Sequence, residues 1–309
     1  MSRPGDPDAT VVAVVVTFAP DLDATSRLLQ ALAAQVAHVI VVDNGSPAES
    51  VSALRGVLAA SGGDLVALME NTGIASAQNV GIARARSAGA SHVLLSDQDS
   101  VPAPDMVAQL LHAIGRAVDA GHRVGAVGPL TVDDRQPGAA LLFAARRWGP
   151  RRAVLPGDPA ALVPVVFLLA SGCLIPVDVL AEVGPMREDW FIDHVDLEWG
   201  LRATRAGYEL FGVVAARLEH RLGDRLMPVP GRERDVHIHS ELRNYYMARN
   251  TVLLIRSGLL PWTWRAGYAA WITKYAGFYV LAVPPRLRRA RQLLAGLFDG
   301  IRGRTGRRD

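Results

Sequence analysis

Val11-Val12-Ala13-Val14-Val15-Val16 is an unbroken apolar run, β-branched at all but one position, followed by Thr17 and closed by Pro20. A run this short, apolar at every position and not at every second one, predicts a strand buried on both faces. Three more runs repeat the signal: Val39 to Val42, Leu65 to Met69 and Val93 to Leu95. Between and after them, Asp21 to Val36, Pro47 to Ala60, Ser76 to Ser87 and Pro102 to Ala120 read as helices. Strand alternating with helix predicts an α/β fold, a Rossmann-like, mostly parallel sheet with helices on both faces. In such open sheets ligands bind beyond the carboxyl ends of the strands, so the polar residues that end the strands are the functional candidates.

The second run stops at Asp43-Asn44-Gly45-Ser46, an acceptor-rich turn that suits a nucleobase imide or ribose hydroxyls and is also ordinary turn chemistry. No Gly-x-Gly-x-x-Gly follows the first strand and no Gly-x-x-x-x-Gly-Lys-Ser/Thr occurs, which disfavours a dinucleotide fold or a P-loop. Asn71-Thr72-Gly73-Ile74-Ala75-Ser76-Ala77-Gln78-Asn79-Val80-Gly81 places small residues at a helix start. A ligand can approach the backbone closely there, a helix N-terminus favours phosphate, and tight helix-to-sheet packing is the alternative reason for the glycines. The fourth run ends in Asp97-Gln98-Asp99. Two carboxylates at a strand end can hold a hard divalent cation and leave positions open for a diphosphate.

The densest acidic segment holds Glu188, Asp189, Asp193, Asp196 and Glu198, broken by Trp190, Phe191 and Trp199. A helix reads forward from Asp196 through Leu201 and Arg202 to Gly207, so capping accounts for one or two of these acids. A carboxylate among aromatics can act as a general base, its pKa set by burial and like-charged neighbours. His220, in Leu218-Glu219-His220-Arg221-Leu222-Gly223, is either structural or a third metal ligand.

Length and composition bound these readings. With 309 residues, half of them hydrophobic, the chain can bury a large core. One cysteine, Cys173, cannot form an intrachain disulfide, and the first ten residues, with Asp6 and Asp8, do not follow the plan of a secretory signal. A cytoplasmic location is expected. The net charge is +3, yet eight arginines stand against two aspartates from Arg286 to Asp309, which predicts an anionic partner surface for that tail. Arg135 to Pro164, rich in proline, glycine and arginine, reads as a surface excursion.

The chain divides into a catalytic domain over 1–255 and an extension over 256–309. In the extension, Trp264, Tyr268, Trp271, Ile272, Tyr275, Phe278, Tyr279 and Ala282 align as one helical stripe. After Pro284-Pro285, Leu287, Ala290, Leu294, Leu297, Phe298 and Ile301 form a second stripe among arginines. Both are too short or too interrupted to predict a transmembrane span and resemble interfacial helices. The stripes could also pack on the catalytic domain or form a dimer contact.

In this order the turn Asp43-Asn44-Gly45-Ser46, the Asn71 to Gly81 segment, Asp97-Gln98-Asp99 and the acidic cluster leading to Leu201-Arg202 and Gly207-Tyr208 resemble glycosyltransferase family 2, over about residues 10 to 255. Phe191-Ile192-Asp193-His194-Val195-Asp196-Leu197-Glu198-Trp199 and Arg243-Asn244-Tyr245-Tyr246-Met247-Ala248-Arg249-Asn250 look like its rhamnosyltransferase branch. The resemblance implies the GT-A fold and an inverting, metal-dependent transfer from a nucleotide-sugar. The donor would be dTDP-L-rhamnose, or failing that a UDP-sugar, and the acceptor a hydroxyl of a lipid-linked or polymeric cell-envelope glycan. It implies that Asp43 contacts the base and that Thr17, Asn71, Gly73, Asn79 and Asp97 bind the nucleotide-sugar. It also implies that Asp97, Asp99 and His220 hold Mg2+ or Mn2+. Aligning on Leu201-Arg202 makes Asp196 the base, whereas aligning on the preceding aromatic favours Asp193. The enzyme would sit on the inner face of the membrane, with anionic lipid as a partner and no nucleic acid. A nucleotidyltransferase would carry a glycine-rich basic loop where this chain has Thr17-Phe18-Ala19-Pro20, and a non-catalytic membrane adaptor would not need carboxylates at each strand end.

Overall fold

The computed structural model describes residues 9–132, 141–220, 225–228 and 235–308. The chain opens with strict alternation: β1 (Val11–Thr17), α1 (Leu22–Ala33), β2 (His38–Asp43), α2 (Ala48–Ser61), β3 (Asp64–Ala67), α3 (Ile74–Ser87) and β4 (His92–Asp97). β5 (Ser100–Pro102), α4 (Met106–Asp119) and β6 (Val124–Val132) follow. The middle holds β7 (Phe143–Ala144), β8 (Arg151–Arg152), β9 (Leu162–Val165), β10 (Cys173–Pro176), α5 (Val177–Val183), α6 (Val195–Arg205) and β11 (Glu209–His220). The chain then runs through β12 (Arg225–Met227), β13 (Val236–Ile238), α7 (Glu241–Arg256), α8 (Trp262–Ala282) and α9 (Arg286–Arg302).

β1 is buried on both faces, as its composition requires. Val12, Val14 and Val16 pack in one cluster with Ala77 and Ile82 of α3, while Val11, Ala13 and Val15 face Leu28 of α1 and Leu110 of α4. The main sheet runs β3-β2-β1-β4-β10-β6-β11-β5, with β9 paired to β11. β1 to β4 are mutually parallel, and β10 enters antiparallel between β4 and β6. That insertion brings residues 166–172, just before β10, alongside the end of β4, where the amide of Asp97 donates to Ser171 Oγ at 3.2 Å.

The described residues contain no helix long and apolar enough to cross a membrane. Both helices of the extension pack on α7. Arg289 of α9 is 6% exposed and donates to Asn244 Oδ1 at 2.6 Å, and a Cβ on Gly296 would lie 2.3 Å from Tyr245 O. The stripe expected at lipid on α8 turns largely inward: Trp264, Ile272 and Tyr279 are buried, and the Tyr279 hydroxyl accepts from the amide of His239 at 3.0 Å. Of that stripe Trp271 and Ala282 are exposed.

The glycine at 81 is a packing residue. A Cβ there would come within 2.1 Å of Val14 Cγ1, which is fully buried and stiff at χ1. Gly81→Ala is expected to destabilise the fold by about 1–3 kcal/mol, the usual range for overpacking. Chemical denaturation of wild type and variant measures it; equal midpoints would mean that α3 can move off the sheet freely.

Candidate active site

The carboxyl ends of β1, β2 and β4 are tied together by side chains. Thr17 Oγ1 donates to Asp43 Oδ1 at 3.0 Å, and the amide and hydroxyl of Ser46 donate to the two Asp43 oxygens at 2.8 and 2.5 Å. Gln98 closes the β1–β4 side: its Oε1 accepts from the Phe18 amide at 2.8 Å and its Nε2 donates to Phe18 O at 3.2 Å. Asp43, expected from sequence to contact the base, is 0% exposed and anchors its own turn. Asn44 is the residue of that turn that lines the cavity. Its Oδ1 accepts from the Thr72 amide at 2.9 Å, and its Nδ2 donates to Asn71 Oδ1 at 3.2 Å, so the two polar loops form one wall.

That cavity, of about 700 Å³, opens beyond the strand ends. Thr17, Asn71, Gly73, Asp97, Asp99 and both candidate bases line it, whereas Asp43 and Asn79 do not. Asn79 is occupied elsewhere. Its Nδ2 donates to Met186 O at 2.9 Å and Glu188 Oε1 at 2.8 Å, while its Oδ1 accepts from the Met186 amide, which fastens α3 to the segment leading into the acidic cluster. Gly73, at φ +92°, has a packing reason too: a Cβ would lie 2.6 Å from Phe191 O. His220 is paired through its backbone with Ser100, the neighbour of Asp99; its side chain lies outside the described residues, as do residues 221–224 of its motif.

The acidic cluster separates into structural and available carboxylates. Glu198, 1% exposed, receives Arg202 Nε at 2.9 and 3.0 Å, and Asp189 receives Arg187 Nε at 3.0 Å. Asp193 Oδ1 holds Arg243 Nη2 at 2.5 Å, with the Asp193 side chain only 2% exposed. Its Oδ2 is buried without a hydrogen-bond partner among the described residues. Asp196 differs. Its carboxylate accepts from the Ala170 amide at 3.2 Å, and among the described residues it has no hydrogen bond or ion pair to another side chain. Burial first, and the nearby negative charge of Asp97 second, push its pKa up to about 7. A carboxylate titrating near neutrality is suited to general-base work.

The backbone that carries these acids is strained. Phe191, Asp193 and His194 have φ of +66°, +64° and +62°, a region non-glycine residues rarely occupy. α7 holds them there. Asn250 Nδ2 donates to the carbonyls of Trp190, Ile192 and Asp193 at 2.9, 2.6 and 3.1 Å, and Arg249 Nη2 to Trp190 O at 2.9 Å. Asn250 and Arg249 are 0% and 1% exposed, so this is a buried clamp. Composition alone could not flag it, because the polar side chains meet carbonyls some 58 residues away. His194 is also a cavity residue that the sequence did not single out. Burial lowers its pKa to about 4 against the opposing charge of Asp193, so the ring is neutral near pH 7.

Asp97 and Asp99 offer hard oxygen donors in the cavity, and the effect of Asp97 on Asp196 marks negative charge there that a cation would offset. The donor chemistry fits a divalent metal. No group of three His, Cys, Asp or Glu with metal-site geometry occurs among the described residues.

Arg243 leaves a sharper signature. Removing it strands the buried Asp193 charge, so Arg243→Met is expected to cost about 3 kcal/mol of stability, and Asp193→Asn in the same chain should restore most of it. Urea denaturation of both variants reads this; an unchanged midpoint in Arg243→Met would reduce the pair to a surface contact.

Comparison with known proteins agrees with this geometry. Residues 13–160 match the model of glycosyl transferase family 2. The dTDP-rhamnosyl transferase RfbF of Shigella flexneri is 26% identical over 299 residues, 97% of this chain and 98% of that protein. Among solved structures, GalNAc-T7 with UDP, GalNAc and Mn2+ superposes with a TM-score of 0.59 at 13% identity, covering 90% of this chain, which spans only 59% of the length of that one. S. aureus TarS 1-349 with UDP-GlcNAc gives 0.56 at 15% identity over 96% of this chain and 81% of that one. The mannosyltransferase PcManGT of Pyrobaculum calidifontis with GDP-Man and Mn2+ gives 0.53 at 19% identity over 97% and 77%. With its sheet order, its strand-end carboxylates and these likenesses, the chain has the GT-A fold and is similar to glycosyltransferase family 2, whose model residues 13–160 match.

Proposed function

We propose that the chain transfers L-rhamnose from dTDP-L-rhamnose to a hydroxyl of a lipid-linked or polymeric cell-envelope glycan, inverting the anomeric carbon. The observation that carries this reading is Asp196, a carboxylate without a side-chain partner that shares one cavity with Asp97 and Asp99. The choice of donor rests on the name of the Shigella relative. Thr17, Phe18, Asn44 and Asn71 form the wall next to the strand ends, where the nucleotide would lie, with Gly73 letting the acidic segment close against it. Asp97 and Asp99 would hold Mg2+ or Mn2+, which when bound neutralises charge on the diphosphate. Asp196 takes the proton from the acceptor hydroxyl as its oxygen bonds to the anomeric carbon from the face opposite the nucleotide. The bond from that carbon to the diphosphate breaks and its electron pair leaves with dTDP. Asp193, committed to Arg243, positions the segment and does not serve as the base.

Asp196→Asn is expected to keep dTDP binding within about twofold and to lower turnover by roughly 100-fold, the scale of general-base catalysis. In wild type kcat/KM should fall as the pH drops below about 7, because protonated Asp196 cannot accept the hydroxyl proton. A cation on Asp97 removes that residue's share of the shift but not the larger share from burial, so the acid limb stays above the ordinary carboxylate range. A panel of dTDP- and UDP-sugars, with Mn2+ or with chelator, tests donor and metal together. Binding of a UDP-hexose but not dTDP-rhamnose overturns the donor, full activity in chelator the metal, and an active Asp196→Asn the base.

Membrane attachment, proposed on the cytoplasmic face, would use α9 and not α8. Leu287, Leu294, Phe298 and Ile301 are 80%, 66%, 51% and 65% exposed, at spacings that put them on one face, with Arg286, Arg288 and Arg291 exposed beside them. Apolar insertion and attraction to anionic lipid act together on such a face. Fewer arginines are available than the count suggests: Arg289 is buried, and Arg304 and Arg307 pair with Asp299 and Glu70. Leu294→Asp with Phe298→Asp should abolish sedimentation with anionic liposomes, and high salt should weaken it in wild type. Equal sedimentation of both proteins would exclude α9 as the anchor.

A further inference from the structure

The cavity has a second half that the donor reading leaves empty. Its wall is the β7–β8 hairpin and α8, which contribute Phe143, Trp148, Arg151, Tyr268 and Trp271. This wall is built with care. Trp264 Nε1 donates to Arg146 O at 2.8 Å, the Trp148 and Trp262 rings meet edge to face at 5.9 Å, and a Cβ on Gly267 would fall 2.0 Å from Trp148 O. The hairpin tip is therefore seated against a helix that has a glycine where the hairpin backbone needs room. His194 links this wall to the acidic segment: its ring contacts Tyr268 at 6.0 Å and Trp271 at 6.2 Å, both edge-on. Yet Trp148 and Trp271 remain 44% and 36% exposed, a large aromatic surface for a protein to leave wet.

We propose that Trp148, Arg151, Tyr268 and Trp271 form a subsite for a neutral pyranose, the terminal sugar of the acceptor. This rests on the transferase reading above and names the chemistry of its second substrate. A pyranose has an apolar C–H face and a rim of hydroxyls. Aromatic faces take the first, and Arg151, whose positive charge acts on the Tyr268 hydroxyl, can donate to the second. A hydrocarbon chain does not suit the site, because Asp196 lines the same cavity and would lose its remaining contact with water against it. A sugar seated here presents a hydroxyl in the space it shares with Asp196.

The test uses the full chain with saturating dTDP and Mn2+, probed by saturation-transfer NMR with octyl glycosides of glucose, N-acetylglucosamine and rhamnose below their micellar concentrations. At least one glycoside should bind through its ring protons. Trp271→Ala and Trp148→Ala should each weaken it roughly tenfold, the scale of one aromatic contact, with dTDP affinity within about twofold, and Trp271→Phe should recover most of the loss. Trp271 is partly exposed, so its variants remain informative if Trp148→Ala fails to fold. Wild type that binds dTDP but no glycoside, transfer confined to the octyl chain, or binding indifferent to both substitutions overturns the subsite. Wild type that binds no dTDP at all overturns the donor reading beneath it.

Discussion

The structure depends on a clamp between α7 and the strained turn before α6. Asn250 and Arg249, both fully buried, spend their donors on the carbonyls of Trp190, Ile192 and Asp193. A segment with three non-glycine residues at positive φ would relax without such restraint, because each costs of order 1 kcal/mol or more. The bonds repay that strain and satisfy carbonyls that would otherwise be buried without partners. Everything chemical follows from the position they impose: Asp193 reaches Arg243, His194 reaches Thr251 at 2.9 Å, and α6 starts where its first turn delivers Asp196 to the cavity.

The clamp also ties the extension to the acidic segment. α9 lies along α7, and the chain beyond it returns to the acidic segment: the Gly306 amide donates to Asp189 O at 2.6 Å, and Arg249 Nη1 donates to Gly306 O at 2.5 Å. Arg307 continues to Glu70 Oε2 at 3.2 Å and Asn71 O at 3.1 Å, on the loop whose Asn71 lines the cavity. One guanidinium thus faces both the strained turn and the segment that ends the chain's last described stretch.

How much of this was legible in the sequence depends on whether the signal is local. β1, β2 and β4 follow from uninterrupted apolar runs, and Asp97, Asp99 and Asp196 stand out because polar residues ending buried strands, or opening a helix after aromatics, are locally conspicuous. β10 was not legible: Cys173 to Pro176 is four residues long, and its place between β4 and β6 is set by distant partners. Asp43 and Asn79 have residue types that suit a ligand; the Asp43–Ser46 bonds are local turn chemistry, whereas the bonds from Asp43 to Thr17 and from Asn79 to Met186 are fixed only by the tertiary arrangement. The stripe on α8 shows the same limit. Periodicity says that one face of a helix is apolar and leaves open what covers it, which here is largely α7, α9 and β13.

The burial of Asp196, with the charge of Asp97 nearby, has a thermodynamic consequence. Asp196 titrates at about 7 in the fold, against the ordinary carboxylate value in an unfolded chain, so the folded protein holds this proton more tightly. Its contribution to stability is full below the unfolded pKa and drains away as the pH rises through about 7. The ionised form, the one the proposed base would need, is therefore the form in which the fold is weaker. Whatever offsets the negative charge of the cavity stabilises the chain as well, so occupancy of the site and folding are linked through one carboxyl group.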